Sequence, residues 1–154
     1  MFLQKKGRAL NIGFEVPILK TCFKEISLST RELLELLDIT ERVSSFVREC
    51  KMESGICMVN SPHSTTAIIV NEHESGLMED ILRKVREEFP RGAGWRHDRV
   101  DNNADAHLAS VFLGHSKMFP IRNGKLERGM WQNIFLLELD GPRTRRVLFE
   151  VMGV

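Results

Sequence analysis

The first regular pattern in the chain is an alternation: residues 23–29 (Phe-Lys-Glu-Ile-Ser-Leu-Ser) exchange apolar and polar side chains as a half-buried strand does. Residues 31–38 are ambiguous, with helical propensity but tight spacing behind that strand. Thr40 then opens a helix, because Val43, Phe46, Val47 and Cys50 recur at i, i+3, i+4 and i+7, and Gly55 is the expected stop. Gly55–Asn60 reads as a short buried strand, with Ala67–Val70 as its expected partner across the polar bend of residues 61–66. A second amphipathic helix follows, with Ser75 as its cap and Leu77, Ile81, Leu82 and Val85 on one face. Residues 90–106 read as a long polar loop. Three further β-like runs close the chain. Lys117–Ile121 enters an Asn123-Gly124 hairpin turn, and Trp131–Leu139 and Thr144–Met152 flank the turn signal Asp140-Gly141-Pro142-Arg143. The pattern predicts a single α+β domain: a mainly antiparallel sheet sandwich or open barrel with two main helices over residues 20–154, behind an N-terminal lead-in at 1–19.

Composition narrows the classes. The 154 residues carry 22 Lys+Arg and 21 Asp+Glu, a net charge of +1, which argues against a nucleic-acid grip or an anionic membrane surface as partner. No apolar run approaches the length of a membrane span. Residues 1–6 show no apolar signal core, so a cytoplasmic protein is expected. The neutrality conceals an asymmetry. Residues 60–115 hold 6 basic and 9 acidic side chains, a balance of −3, together with all five histidines; residues 116–154 hold 7 basic and 4 acidic, a balance of +3. Cys22, Cys50 and Cys57 have no paired zinc-type spacing and are expected to be free thiols in a reducing compartment. A nucleophilic Cys57 is disfavoured, since a thiolate inside an apolar strand is costly to desolvate.

Four clusters carry candidate chemistry. The bend Asn60-Ser61-Pro62-His63-Ser64-Thr65-Thr66, followed by Asn71-Glu72-His73, offers hydroxyls for phosphate and an imidazole for metal or proton. Its plainer reading is a Pro-initiated turn with a solvated histidine. His97 and His107, with Asp98, Asn103 and Asp105 between and beside them, supply imidazole and carboxylate for a divalent ion, or a solvated acidic loop. Gly129-Met130-Trp131-Gln132 suggests an aromatic wall and an amide, or simply core and surface. Arg143, Arg145 and Arg146 are guanidinium forks for phosphate, or a solvated turn.

In their order, His63-Ser64-Thr65-Thr66-Ala67, Asn71-Glu72, Asn103-Ala104-Asp105-Ala106-His107-Leu108, Gly124-x-Leu126, Gly129-x-Trp131-Gln132 and Asp140-Gly141-Pro142-Arg143 resemble the YjbQ-like family of secondary thiamine-phosphate synthases. The resemblance implies a compact α+β homotrimer with sites near subunit interfaces and a histidine-containing pocket that takes a divalent metal ion, zinc or magnesium. It implies a small phosphorylated heterocyclic substrate, with hydroxymethylpyrimidine diphosphate joined to thiazole phosphate as a weak activity. On that basis His63, His97 and His107 are expected as metal ligands. Asp105, Glu72 and His107 are expected around the reacting centre. Ser64, Thr65 and Arg143 would hold phosphate, while Asn71, Asn103 and Gln132 would contact the substrate. The same residues would equally serve a metal-dependent hydrolase of a phosphorylated metabolite, or a trimer that binds a metal or ligand without turnover.

Overall fold

The computed structural model describes residues 17–154; the expected lead-in lies, through residue 16, outside them. The strands are β1 (Lys20–Ser29), β2 (Glu35–Asp38), β3 (Ser54–Asn60), β4 (Thr66–Asn71), β5 (Ser116–Arg122), β6 (Lys125–Leu126), β7 (Asn133–Glu138) and β8 (Thr144–Gly153). The helices are α1 (Thr40–Cys50), α2 (Ser75–Glu88) and α3 (Ala104–Leu113). All pairings are antiparallel, in two sheets ordered β1-β8-β3-β5-β6 and β2-β7-β4. This is the α+β, sheet-on-sheet architecture that the patterning predicts.

Three layers follow from which face each strand buries. Between the sheets lie Val59, Ile68, Leu136, Val147, Phe149 and Val151, with Val43, Phe46 and Val47 of α1 closing the same core. On the far side of the smaller sheet, Ala67, Leu137 and Leu139 pack on Val85 of α2 and on Ala106 and Ala109 of α3. That double coverage explains why β7 is unbroken apolar from Ile134 to Leu137: a strand buried on both faces has no polar phase. The outer face of the larger sheet stays open, with Phe23 and Met118 exposed.

Several local expectations are corrected. Ala67–Val70 does not pair with Gly55–Asn60. β3 pairs with β5 and β8, β4 pairs with β7, and the polar bend of residues 61–65 carries the chain from one sheet to the other. Gly55 sits inside β3 and does not stop α1, which ends at Lys51 in the left-handed conformation; a Cβ on Gly55 would lie 2.1 Å from the Met152 carbonyl oxygen, so only glycine fits this crossing. α2 is capped by Glu74, whose carboxylate accepts from the Gly76 and Leu77 amides, and not by Ser75. A third helix, α3, begins in the last three residues of the expected 90–106 loop and runs on through Leu113. Its alanines are buried while Val111 and Phe112 are exposed, so it has no polar face to produce the helical period. The Asn123-Gly124 turn forms as predicted, with both residues at positive φ.

Cys22 and Cys50 also depart from expectation. They are joined in a disulfide, with Cα atoms 6.0 Å apart, tying edge strand β1 to the last turn of α1. A sequence separation of 28 residues hides the pair from any spacing rule. Cys57 is free and buried in β3, and burial pushes its thiol up to about 12, so it stays protonated. Reduction is expected to remove about 3–4 kcal/mol of stability by releasing the closed loop in the unfolded chain. Urea unfolding with and without reductant measures this; coincident curves would show that the bridge does not constrain the unfolded state.

Candidate functional site

Beside the bend between β3 and β4, an open groove of about 650 Å³ is bordered by Asn60, His63, Ser64, His107, Ser110 and His115. Three segments converge here, and backbone bonds explain how. The Ser61 amide donates to the His115 carbonyl at 2.8 Å, and the Ile68 amide donates to Gly114 O at 3.0 Å, docking the α3–β5 link against β4. The Ser110 hydroxyl donates to Thr66 O at 2.7 Å, fixing the rotation of α3. That rotation turns His107 and Ser110, one turn apart, toward the bend.

His63 is half-buried, and its Nε2 accepts the Arg146 amide of β8 at 2.9 Å. An acceptor nitrogen needs its lone pair, so the ring is neutral in this geometry. Burial, then the charges of Arg145 and Arg146, hold its pKa below the ordinary 6.5 against the pull of Glu138. The unfolded chain therefore takes up this proton first. The stability contributed by His63 is complete above 6.5 and is lost as pH falls from there toward the lower folded value. His63→Gln is expected to flatten the acid side of the stability profile. Chemical unfolding across that range checks it, and an unchanged slope would contradict the assignment.

Behind the bend lies a buried ion network. Arg145 and Glu138 are 5% and 0% exposed and pair directly. Arg145 also donates to Thr65 Oγ1 at 2.9 Å, and Glu138 accepts from the Thr30 hydroxyl at 3.1 Å and from the Leu139 and Asp140 amides. Next to it, Asp140 Oδ2 accepts from Asn103 Nδ2 at 3.0 Å and from Arg143 at 2.9 Å. Burial raises the Asp140 carboxyl, but these two donors outweigh it and leave the group below the usual carboxylate range.

The expected site residues thus fall into four places. His63, Ser64 and His107 share the groove, and His97 meets His107 edge to face with ring centres 4.8 Å apart. Thr65, Asn103 and Arg143 are held in the polar networks behind it. Asp105 is two residues from His107 on α3 and lines a different cavity. Asn71, Glu72 and Gln132 lie at the opposite end of β4 and β7, about 17 Å along the strands. There Gln132 Oε1 accepts the Gly129 amide, and Asp38 accepts from Asn133 while pairing with His73. Among the described residues no three His, Cys, Asp or Glu side chains converge on one ion. Residues the sequence reasoning missed are Ser110, recoverable from its i+3 spacing to His107, and Glu138. No described helix is long and apolar enough to cross a membrane.

Fold and groove together define a two-sheet α+β protein with a histidine-rich cleft where the crossover bend meets α3. A family model, UPF0047 protein YjbQ-like, matches residues 24–154, and the chain belongs to that family. An Archaeoglobus fulgidus UPF0047 protein is 46% identical over 83% of this chain and 99% of its own length. The Bacillus subtilis UPF0047 protein YugU is 34% identical over 84% and 98%. Among solved structures, a protein of unknown function from Sulfolobus solfataricus superposes with a TM-score of 0.88 at 48% identity, covering 89% of this chain and 100% of the other. A hypothetical protein from Aeropyrum pernix gives 0.84 at 38% identity, covering 86% and 98%.

Proposed function

We propose that the protein is a transferase of phosphorylated heterocycles of the thiamine-phosphate-synthase type, joining hydroxymethylpyrimidine diphosphate to thiazole phosphate as a weak activity. The observation that carries this reading is the convergence of His63, Ser64, His107 and His115 from three segments on one open groove. When the carbon–oxygen bond to diphosphate breaks, negative charge gathers on the leaving oxygens, and donors already in place lower that barrier. Ser64 is such a donor, and so is the Nδ1–H of neutral His63, whose Nε2 lone pair is taken by the Arg146 amide.

A divalent ion would add Lewis-acid stabilisation of the leaving group when bound. Of the expected ligands, His97 and His107 are in contact, whereas His63 has its Nε2 engaged by the Arg146 amide. An imidazole pair suits zinc better than magnesium, which prefers oxygen donors. A homotrimer belongs to the same proposal: Asn71, Glu72 and Gln132 lie too far along the sheet to reach the groove of their own chain, and a neighbouring copy would bring them to it. So does a cytoplasmic setting, because diphosphates do not cross membranes unaided. The second reading, a phosphoester hydrolase, is favoured by the groove's open form, which admits water as the acceptor.

Purified protein incubated with both thiamine precursors, with zinc, with magnesium and with chelator, is expected to yield thiamine phosphate above the protein-free control. Product from a phosphoester panel but not from the precursors would transfer the assignment to the hydrolase. Binding of the precursors without turnover under any metal would overturn both.

A further inference from the structure

At the end of the smaller sheet away from the groove stands an imidazole that the proposed transfer does not use. Antiparallel register gathers three strand ends there: β2 stops at Asp38, β7 starts at Asn133, and His73 follows β4 by two residues. His73 Nδ1 lies 2.5 Å from Asp38 Oδ2, which also accepts from Asn133 Nδ2 at 2.9 Å. The other oxygen, Oδ1, accepts from the Thr40 amide at 2.8 Å and from the Thr40 hydroxyl. Burial raises the Asp38 carboxyl, but these donors outweigh it and leave the group below the usual carboxylate range. An ionised carboxylate has no proton to give, so Nδ1–H donates and the neutral ring keeps its lone pair on Nε2. Phe135 meets the ring edge to face, with centres 5.4 Å apart, and the His73 side chain is 50% exposed.

An imidazole oriented by a carboxylate that is itself fixed is activated: the carboxylate sets the tautomer and stabilises the cation formed when Nε2 gains a bond. The neighbouring hydroxyls of Thr40 and Ser75 donate to Asp38 and Glu74, so the ring itself is the nucleophile. Beside Asp38 and Asn133 lies an open depression of about 370 Å³, bordered by Arg42 and Arg128. We propose that His73 and Asp38 form an acyl-accepting site, at which Nε2 takes the acyl group of an uncharged activated ester seated in this depression. The lone pair forms the N–C bond while the ester C–O bond breaks and its electron pair leaves on oxygen. Arg42 and Arg128 face the carbonyl oxygen as it gathers charge. Water then adds to the acyl carbon, the N–C electron pair returns to Nε2, and the released proton goes to the departed oxyanion. Glu72 and Glu74 flank His73 in sequence and Glu41 borders the depression, so carboxylates outnumber guanidinium groups and an anionic phosphoryl donor is disfavoured.

The site needs neither the groove nor a metal, so its test is run on the full chain with chelator present. Release of p-nitrophenolate from p-nitrophenyl acetate is expected to fall about tenfold or more in His73→Gln. Diethyl pyrocarbonate, an uncharged acylating reagent read by peptide mass mapping, is expected to label His73 about tenfold faster than His97 and His115, which are likewise exposed. In urea, where the histidines are alike, that excess is expected to vanish. Asp38→Asn turns an amide N–H toward Nδ1 and moves the ring proton to Nε2, so labelling of His73 should fall to the level of His97 and His115 while theirs is unchanged. If that variant does not fold, the urea comparison on the native sequence carries the test. Phosphoramidate, an anionic phosphoryl donor, is expected to show no preference for His73. Equal labelling of the three histidines in the folded chain, an excess that survives urea, an undiminished esterase rate in His73→Gln, folded Asp38→Asn that labels as the native chain does, or preferential phosphorylation of His73 would each overturn the proposal.

Discussion

Replacing Arg145 by methionine is expected to lower the unfolding free energy by about 3–5 kcal/mol, the range for stranding one partner of a buried ion pair. Glu138 is fully buried and would remain as an uncompensated charge. Its other partners, the Thr30 hydroxyl and the Leu139 and Asp140 amides, are neutral donors that cannot replace a guanidinium. The change reaches the groove as well. Thr65 loses the donor that anchors the bend, and His63 and Ser64 are its neighbours on that bend. Urea unfolding measures the stability loss, and adding Glu138→Gln should recover part of it by removing the stranded charge. A loss below about 1 kcal/mol, the ceiling for exposed pairs, would show that water reaches the pair.

Removal of the groove imidazoles is the second large effect. His107→Ala and His63→Ala are each expected to lower kcat/KM for the proposed transfer by about 10²–10⁴-fold, the usual contribution of one positioned acid or base. If the two act as a unit, the double variant should fall little below the worse single one, since members of one constellation are not additive. Neither side chain is in the buried core, so far-ultraviolet circular dichroism should stay near native; melting temperature should do so for His107→Ala and fall slightly for His63→Ala, which loses the acceptor of the Arg146 amide. Variants that fold normally and keep full turnover would remove the groove from the mechanism.

Some of the site was legible in residue order and some was not, for identifiable reasons. Residue type and motif mark His63, Ser64 and His107 as candidates, and the three do share one groove. Asp105 groups with His107 in the sequence because they are close together and the segment reads as a loop. Once residues 104–113 are helical, a two-residue step becomes a change of face. The family motifs also made Glu72 and Gln132 look like companions of His63. The strand register of β4 against β7 places them at the other end of the sheet.

Arg145 shows a signal that was present and overridden. Val147, Phe149 and Val151 alternate inward along β8, and extending that period back by two residues puts Arg145 inside. Its charge and two arginine neighbours at 143 and 146 argue instead for a solvated turn, and only its contact with Glu138 resolves the conflict. The same distance in sequence concealed the Cys22–Cys50 bridge.

By itself the sequence determined the α+β class, six of the eight strands and two amphipathic helices, the Asn123-Gly124 hairpin and the family. These rest on periodicities and turn preferences that act over a few residues, or on motif order. Tertiary structure decided which strands pair, which cysteines join, that α3 is a helix, and which cavity each polar residue faces. Those outcomes depend on contacts between residues tens of positions apart, where burial on two faces and the partner's charge outweigh any local preference.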